Sequence, residues 1–247
     1  MSRLTQTKAA YEAYDEARQA IADNRFQAAR RLVDQAIDLE PNEAHFYALL
    51  GDLEFEGNAL DSAERAYDQA IKLNPKFFYP LLRSGVLNEN RARIAKAKRH
   101  LNRSLELLQT AQAYQTLGAI AEREGNLSEA DALYAKAAQG SGAAGQTALT
   151  SLVTLRSKSN PTSLVGLRWG ISDQGTLIME ATNSTPRALN GVWIKIRLID
   201  AQGVVRSYDQ PITALSPNQV TQVTTRLYPG SGRVQLSITR IESVGGA

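Results

Sequence analysis

The sequence predicts a multidomain chain: an all-α superhelix of about four stacked helical hairpins plus a capping helix, followed by a small all-β sandwich. Three observations carry this. Two segments spell one residue pattern at fixed offsets. Small residues recur with a period near 34. After Asn160-Pro161 the apolar period changes from helical to alternating. The helical array is placed at 1–158 and the β-sandwich at 161–247.

In chain order, the first hairpin occupies about 10–43. It is worn: Ala13, Glu16 and Ala17 stand where later hairpins carry an aromatic residue, a leucine and a glycine, as terminal units often do. Its second helix, Ala29 to Pro41, is regular. The second hairpin, 44–77, reads Tyr47-x-x-Leu50-Gly51, then Ala63-x-x-x-Tyr67-x-x-Ala70, then Asn74-Pro75. The third, 78–110, keeps Gly85 and Ala97. The fourth, 111–140, repeats the second as Tyr114-x-x-Leu117-Gly118 and Ala130-x-x-x-Tyr134-x-x-Ala137. Ala29, Ala63 and Ala97 are 34 residues apart, but Ala97 to Ala130 is 33; Gly51 to Gly85 is 34 and Gly85 to Gly118 is 33. One residue is therefore missing between Ala97 and Gly118. The turn at Leu108-Gln109-Thr110 is the expected place, because turns absorb deletions that packed helices cannot.

Packing explains the pattern. Glycines let the two helices of a hairpin approach, alanines keep the facing helix slim, and Tyr47, Tyr67, Tyr114 and Tyr134 fill the space between hairpins. Pro41 and Pro75 end the second helices. After the break at Gln139-Gly140-Ser141-Gly142, Leu149, Leu152, Val153 and Leu155 fall at helical spacing and predict a capping helix over 144–157. Strands are expected at Leu177–Thr182, Val192–Ile199, Val204–Tyr208, Val220–Leu227 and Val234–Ile241, with turn residues between them. Six or seven short strands in this span read as a sandwich.

At 247 residues, 43% apolar and 21% charged, the chain has the composition of a folded globular protein. It has no cysteine, so neither a disulfide nor a thiolate metal site is available. No apolar run is long enough for a membrane span, and the first twenty residues lack a signal-peptide core. Residues 161–247 hold eight basic and five acidic side chains, which accounts for the whole net charge of +3. The neutral helical part argues against a general nucleic-acid scaffold.

No catalytic, metal or cofactor constellation is legible. The histidines, His45 and His100, have no second ligand at metal spacing, and zinc-protease, nucleophile-elbow and phosphate-loop motifs are absent. The chain is expected to be no enzyme and to need no cofactor. In a hairpin array the first helices line the concave face. By register that face presents Tyr11, Tyr14 and Arg18, then His45, Ala48, Asp52 and Phe55, then Tyr79, Leu82 and Val86, and last Gln112, Gln115 and Ala119. Aromatic side chains there suit an extended peptide; the alternative is that several pack against the β-domain or the N-terminal helix. The lysine, asparagine and arginine set that clamps a terminal carboxylate in such grooves is missing. The stretch Arg91 to Arg103 carries six bases and no acid, which reads as a solvated outer face or as a contact for RNA or anionic lipid. Asn183-Ser184-Thr185 matches a glycan acceptor and, more plainly, a β-turn.

Residues 10–138 resemble the tetratricopeptide family, most specifically in hairpins two to four. A looser resemblance covers nearly the whole chain. The runs Phe46–Asp52 and Ala66–Pro75, the glycine-rich break, and Thr182–Thr185 in a terminal β-domain resemble the non-catalytic C-terminal part of BepA-like bacterial periplasmic zinc metalloproteases. That resemblance implies a protein-interaction scaffold recognising protein or peptide partners, unfolded and outer-membrane proteins among them. It also implies a periplasmic location and a Met1 that interrupts a longer exported polypeptide. No zinc ligand carries over, because the His-Glu-x-x-His domain has no counterpart here. The other reading is a standalone cytoplasmic adaptor using its basic face.

Overall fold

The structure is a computed structural model describing residues 3–245; positions 1–2 and 246–247 of the expected domains, Met1 among them, lie outside the described residues. The chain divides into two compact units, Met1–Asn126 and Leu127–Ala247. The expected helical range therefore spans the first unit and the two helices that open the second.

The first unit holds α1 (Arg3–Ala22), α2 (Phe26–Leu39), α3 (Ala44–Glu56), α4 (Leu60–Leu73), α5 (Phe78–Asn90), α6 (Ile94–Leu107) and α7 (Ala111–Arg123). The linkers after α2 and α4 are four residues long, whereas 108–110 has three, so the missing residue is in that turn. The period is also written in the backbone. Asn24, Asn58, Ala92 and Gly125 all have positive φ, at 58°, 57°, 55° and 79°. Each sits just past the end of a first helix. The next residue's N–H reaches back to a carbonyl five residues earlier, as in Arg25 to Ala20 (2.7 Å) and Arg93 to Asn88 (2.8 Å). This is a Schellman closure, which requires a left-handed residue at that one position.

Inside a hairpin the close approach is literal. A Cβ on Gly51 would collide with the Tyr67 ring, and one on Gly85 would lie 2.6 Å from Leu101 Cγ. Tyr67 and Leu101 are 34 residues apart and fully buried. The equivalent pair in the worn first hairpin is Ala17 with Val33, also fully buried. A smaller partner there leaves room for the extra methyl group, so the first hairpin departs from the pattern while keeping its volume.

The second unit holds α8 (Leu127–Ala137), α9 (Gly142–Ser159) and a short 3-10 turn at Pro161–Ser163. Six strands follow among the described residues: β1 (Val165–Ile171), β2 (Leu177–Asn183), β3 (Leu189–Ile199), β4 (Val205–Leu215), β5 (Val220–Thr224) and β6 (Arg233–Val244). They form two antiparallel three-stranded sheets, ordered β1-β2-β5 and β4-β3-β6. Leu177, Met179 and Ala181 of one sheet share a core with Val192, Ile194 and Ile196 of the other. Leu149 and Val153 of α9 join this core, so the helix expected as a cap on the repeats also packs on the strands. Strand β1 was missed in the sequence although Val165, Leu167, Trp169 and Ile171 alternate with Gly166, Arg168 and Gly170; only Val165 of these is buried. Pro211, opposite Trp193, is tolerated because β4 is an edge strand.

Candidate interaction face

The candidate residues of the first three hairpins meet on α1, α3 and α5, and Asp52 is their hub. Its Oδ1 accepts from Tyr67 Oη at 2.6 Å and from Arg83 Nε at 2.8 Å, and its Oδ2 accepts from Tyr79 Oη at 2.5 Å. The Asp52 and Arg83 side chains are only 20% and 17% exposed. The Arg83 guanidinium also lies over the Phe55 ring, 5.0 Å from its centre. Burial, then the Asp52 charge, pushes both phenols above the usual tyrosine range. Arg83 is raised too: burial opposes its charge, but Tyr67 and Asp52 outweigh that. At neutral pH both phenols are thus neutral donors and Arg83 is a guanidinium cation. Arg83 Nη2 is 3.9 Å from Glu56, too far for a hydrogen bond, which leaves that donor for a ligand carbonyl or carboxylate.

Aromatic rings flank the hub. Tyr11 and Tyr14 pack on the buried Phe46 with centroids 5.3 and 5.2 Å away, and Arg18 lies 5.9 Å from the Tyr14 ring. Tyr11 Oη donates to Glu43 Oε2 at 2.6 Å, and that hydrogen bond, with burial behind it, pushes the phenol up to about 12. The His45 ring contacts Phe77 at 4.5 Å and Glu43 through Nδ1 at 2.7 Å; Phe77 in turn lies 6.2 Å from Tyr79. The other candidates are placed differently. Leu82 is buried, and Val86, Gln112 and Gln115 are half-buried with no recorded contact to this cluster.

Sequence reasoning missed Arg83, Glu43, Phe46 and Phe77, and gave Tyr67 only a space-filling role. Arg83 had a signal, since it stands four residues after Tyr79 on one helix face. Tyr67 comes from a second helix, and only the Gly51 gap beneath its ring lets its hydroxyl reach Asp52.

Four of the six bases in the stretch 91–103 pair with acids across the helix stack. Glu64 pairs with Arg93 at 2.6 Å and Lys96 at 2.7 Å, Arg91 reaches Asp61 at 2.6 Å, and Lys98 reaches Glu124 at 2.6 Å. Asn183 is fully buried: Nδ2 donates to the carbonyls of Arg187 and Leu215, and Oδ1 accepts from the amide and hydroxyl of Thr185. It braces a turn and presents no free amide to a glycan. His100 is held against Ser84 Oγ at 2.9 Å, and burial lowers its pKa. No helix among the described residues is long and apolar enough to cross a membrane.

The tetratricopeptide repeat family model matches residues 20–84, which hold the hub and most of the flanking rings. No curated protein matches the chain in sequence. Among solved structures, PilF of Pseudomonas aeruginosa is 13% identical over 64% of this chain and 72% of its own, with a TM-score of 0.57. MamA of Desulfovibrio magneticus is 16% identical over 62% and 86%, with a TM-score of 0.53. At such identities the likeness shows the repeat fold alone.

Proposed function

We propose that the face formed by α1, α3 and α5 binds an extended segment of a partner protein. The observation that supports this best is the hub itself: a half-buried ion pair, its Asp52 carboxylate hydrogen-bonded to three side chains, sits between two groups of partly exposed rings on three successive first helices. The rings offer apolar contact, and Arg83 offers a donor for a backbone carbonyl. Because packing and hydrogen bonds already fix these side chains, binding costs little further ordering. A crosslinking pull-down from cell extract, comparing the parent chain with a Phe55→Ala/Tyr79→Ala variant of unchanged circular dichroism, tests this. Partners captured by the parent and lost from the variant are expected. Equal capture by both refutes the assignment of the face.

The finer reading rests on the resemblance to BepA-like proteins: the segment bound here belongs to a substrate or assembly partner of an exported zinc metalloprotease, in the periplasm. An antibody against this chain, applied to fractionated cells, should detect a periplasmic species larger than 26.9 kDa. A cytosolic species of that size would sink this reading while leaving the binding face intact.

A further inference from the structure

We propose a second binding site, in the strand unit and apart from the helical face, that takes the free carboxylate of a peptide C-terminus ending in an apolar residue. Leu198, Leu227, Arg206, Tyr208, Arg226 and Tyr228, together with Asp200, line a cavity of about 280 Å³ at the end of the sandwich. Its floor is apolar, since Leu198 and Leu227 both pack on the strand core. Its rim is cationic and aromatic.

The register makes the rim unusual. Arg206 pairs with Leu198 and Tyr208 with the buried Ile196, so both occupy the face of β4 that looks toward the opposite sheet. Arg226 arrives from that opposite sheet. The segment is held there by Leu177, whose N–H donates to Leu227 and whose carbonyl accepts from Thr225 N and Oγ1, each near 2.9 Å. Two guanidinium groups thus line one small cavity, and among the described residues neither has an ion pair or a side-chain hydrogen bond. One acid, Asp200, also lines the cavity, and it is turned toward its own loop. Asp200 Oδ1 accepts from the amides of Gln202 and Val204, and Asp209 is with Lys195. Tyr228, 68% exposed, stands at the mouth.

An inward charge on an edge strand commonly guards against strand pairing. That role explains Arg206 alone and leaves Arg226 and the two tyrosines unaccounted for. Two forked donors and two hydroxyls over an apolar floor suit a planar carboxylate attached to an apolar side chain. The volume lies just under the usual range for small-molecule pockets, about 300–1,000 Å³, and so fits roughly one residue rather than a lipid chain.

The test is calorimetric titration of the full chain with acetyl-Gly-Leu-Phe as free acid and as C-terminal amide. The free acid should bind saturably and the amide about tenfold more weakly or worse, the loss typical of a charge-assisted hydrogen bond. Arg206→Gln and Arg226→Gln should each cost a similar factor with unchanged circular dichroism, while Arg233→Gln should bind as the parent does. No binding of the free acid, equal binding of acid and amide, or parent-like binding by both arginine variants overturns the proposal. So does equal competition by inorganic phosphate or by single-stranded RNA, because either would mean that charge alone is read. If Arg206→Gln only lowers solubility, edge protection is its role and the site falls.

Discussion

Replacing Asp52 with alanine tests the hub most directly. The substitution strands a guanidinium whose side chain is 17% exposed and removes the acceptor of two phenols, Tyr67 being fully buried. Breaking a fully buried ion pair by deleting one partner costs about 3–5 kcal/mol. Asp52 is itself 20% exposed, so water recovers part of that, and about 2–3 kcal/mol is expected. At a urea m-value of about 1–3 kcal/mol per molar, the midpoint should fall by roughly 1 M or more. Asp52→Asn keeps an acceptor but loses the charge and should cost about 1–2 kcal/mol. Tyr79→Phe should cost about 1 kcal/mol, and the double variant less than the sum, since both lose one hydrogen bond. Urea titration followed by helical circular dichroism measures all of these. If Asp52→Ala moves the midpoint no further than Asp15→Ala, an exposed acid, the hub contributes no stability and the reasoning fails.

Alkaline pH probes the same cluster. The phenols of Tyr67 and Tyr79 are raised in the folded chain, so their stability contribution is complete below the ordinary tyrosine pKa of about 10 and is lost as pH climbs through the folded values. Urea midpoints should hold to about pH 9.5 and then fall, by up to about 1.4 kcal/mol per pH unit for each phenol; a midpoint flat to strong alkali would contradict the shifts. Ala92→Gly should stabilise the chain by about 1 kcal/mol, because a left-handed φ of 55° strains any residue with a Cβ; an unchanged or lower midpoint would refute that. Gly51→Ala should destabilise by about 1–3 kcal/mol through collision with Tyr67, and Tyr67→Phe should not relieve it. Asn183→Ala should lower the thermal midpoint of the strand unit, because it frees two buried carbonyls.

Much of the helical fold was legible because its constraints are local and repeated. A glycine at 51 and at 85, an alanine twelve residues later, and a break near each proline follow from helix period and close approach, and the turn at 108–110 was found by counting. The strands were legible where they alternate, as in Val192–Leu198. At β1 the alternation of Val165, Leu167, Trp169 and Ile171 was overlooked, among two glycines of low strand propensity. The candidate face was half legible: register put Tyr11, Tyr14, His45, Asp52, Phe55 and Tyr79 on first helices, and those residues do meet. It could not show that Leu82 is buried, that Arg83 is the cation of the hub, or that Tyr67 reaches in from a second helix. The acids that pair with four of the six bases at 91–103, Asp61, Glu64 and Glu124 among them, were not legible because they lie about thirty residues away in either direction.

What this sequence determined by itself is the period: which residues must be small, where helices stop, and where the chain changes from helical to alternating. Those properties depend on neighbours within a turn or two. Tertiary structure alone decided which charges are spent and which remain available. Asp52 is consumed by three partners from two other helices and Glu64 by bases on the next hairpin, while Arg206 of β4 and Arg226 of the segment after β5 line one cavity without an ion pair. Electrostatic pairing depends on distance in space, and a linear chain does not reveal that distance until its helices and sheets have packed.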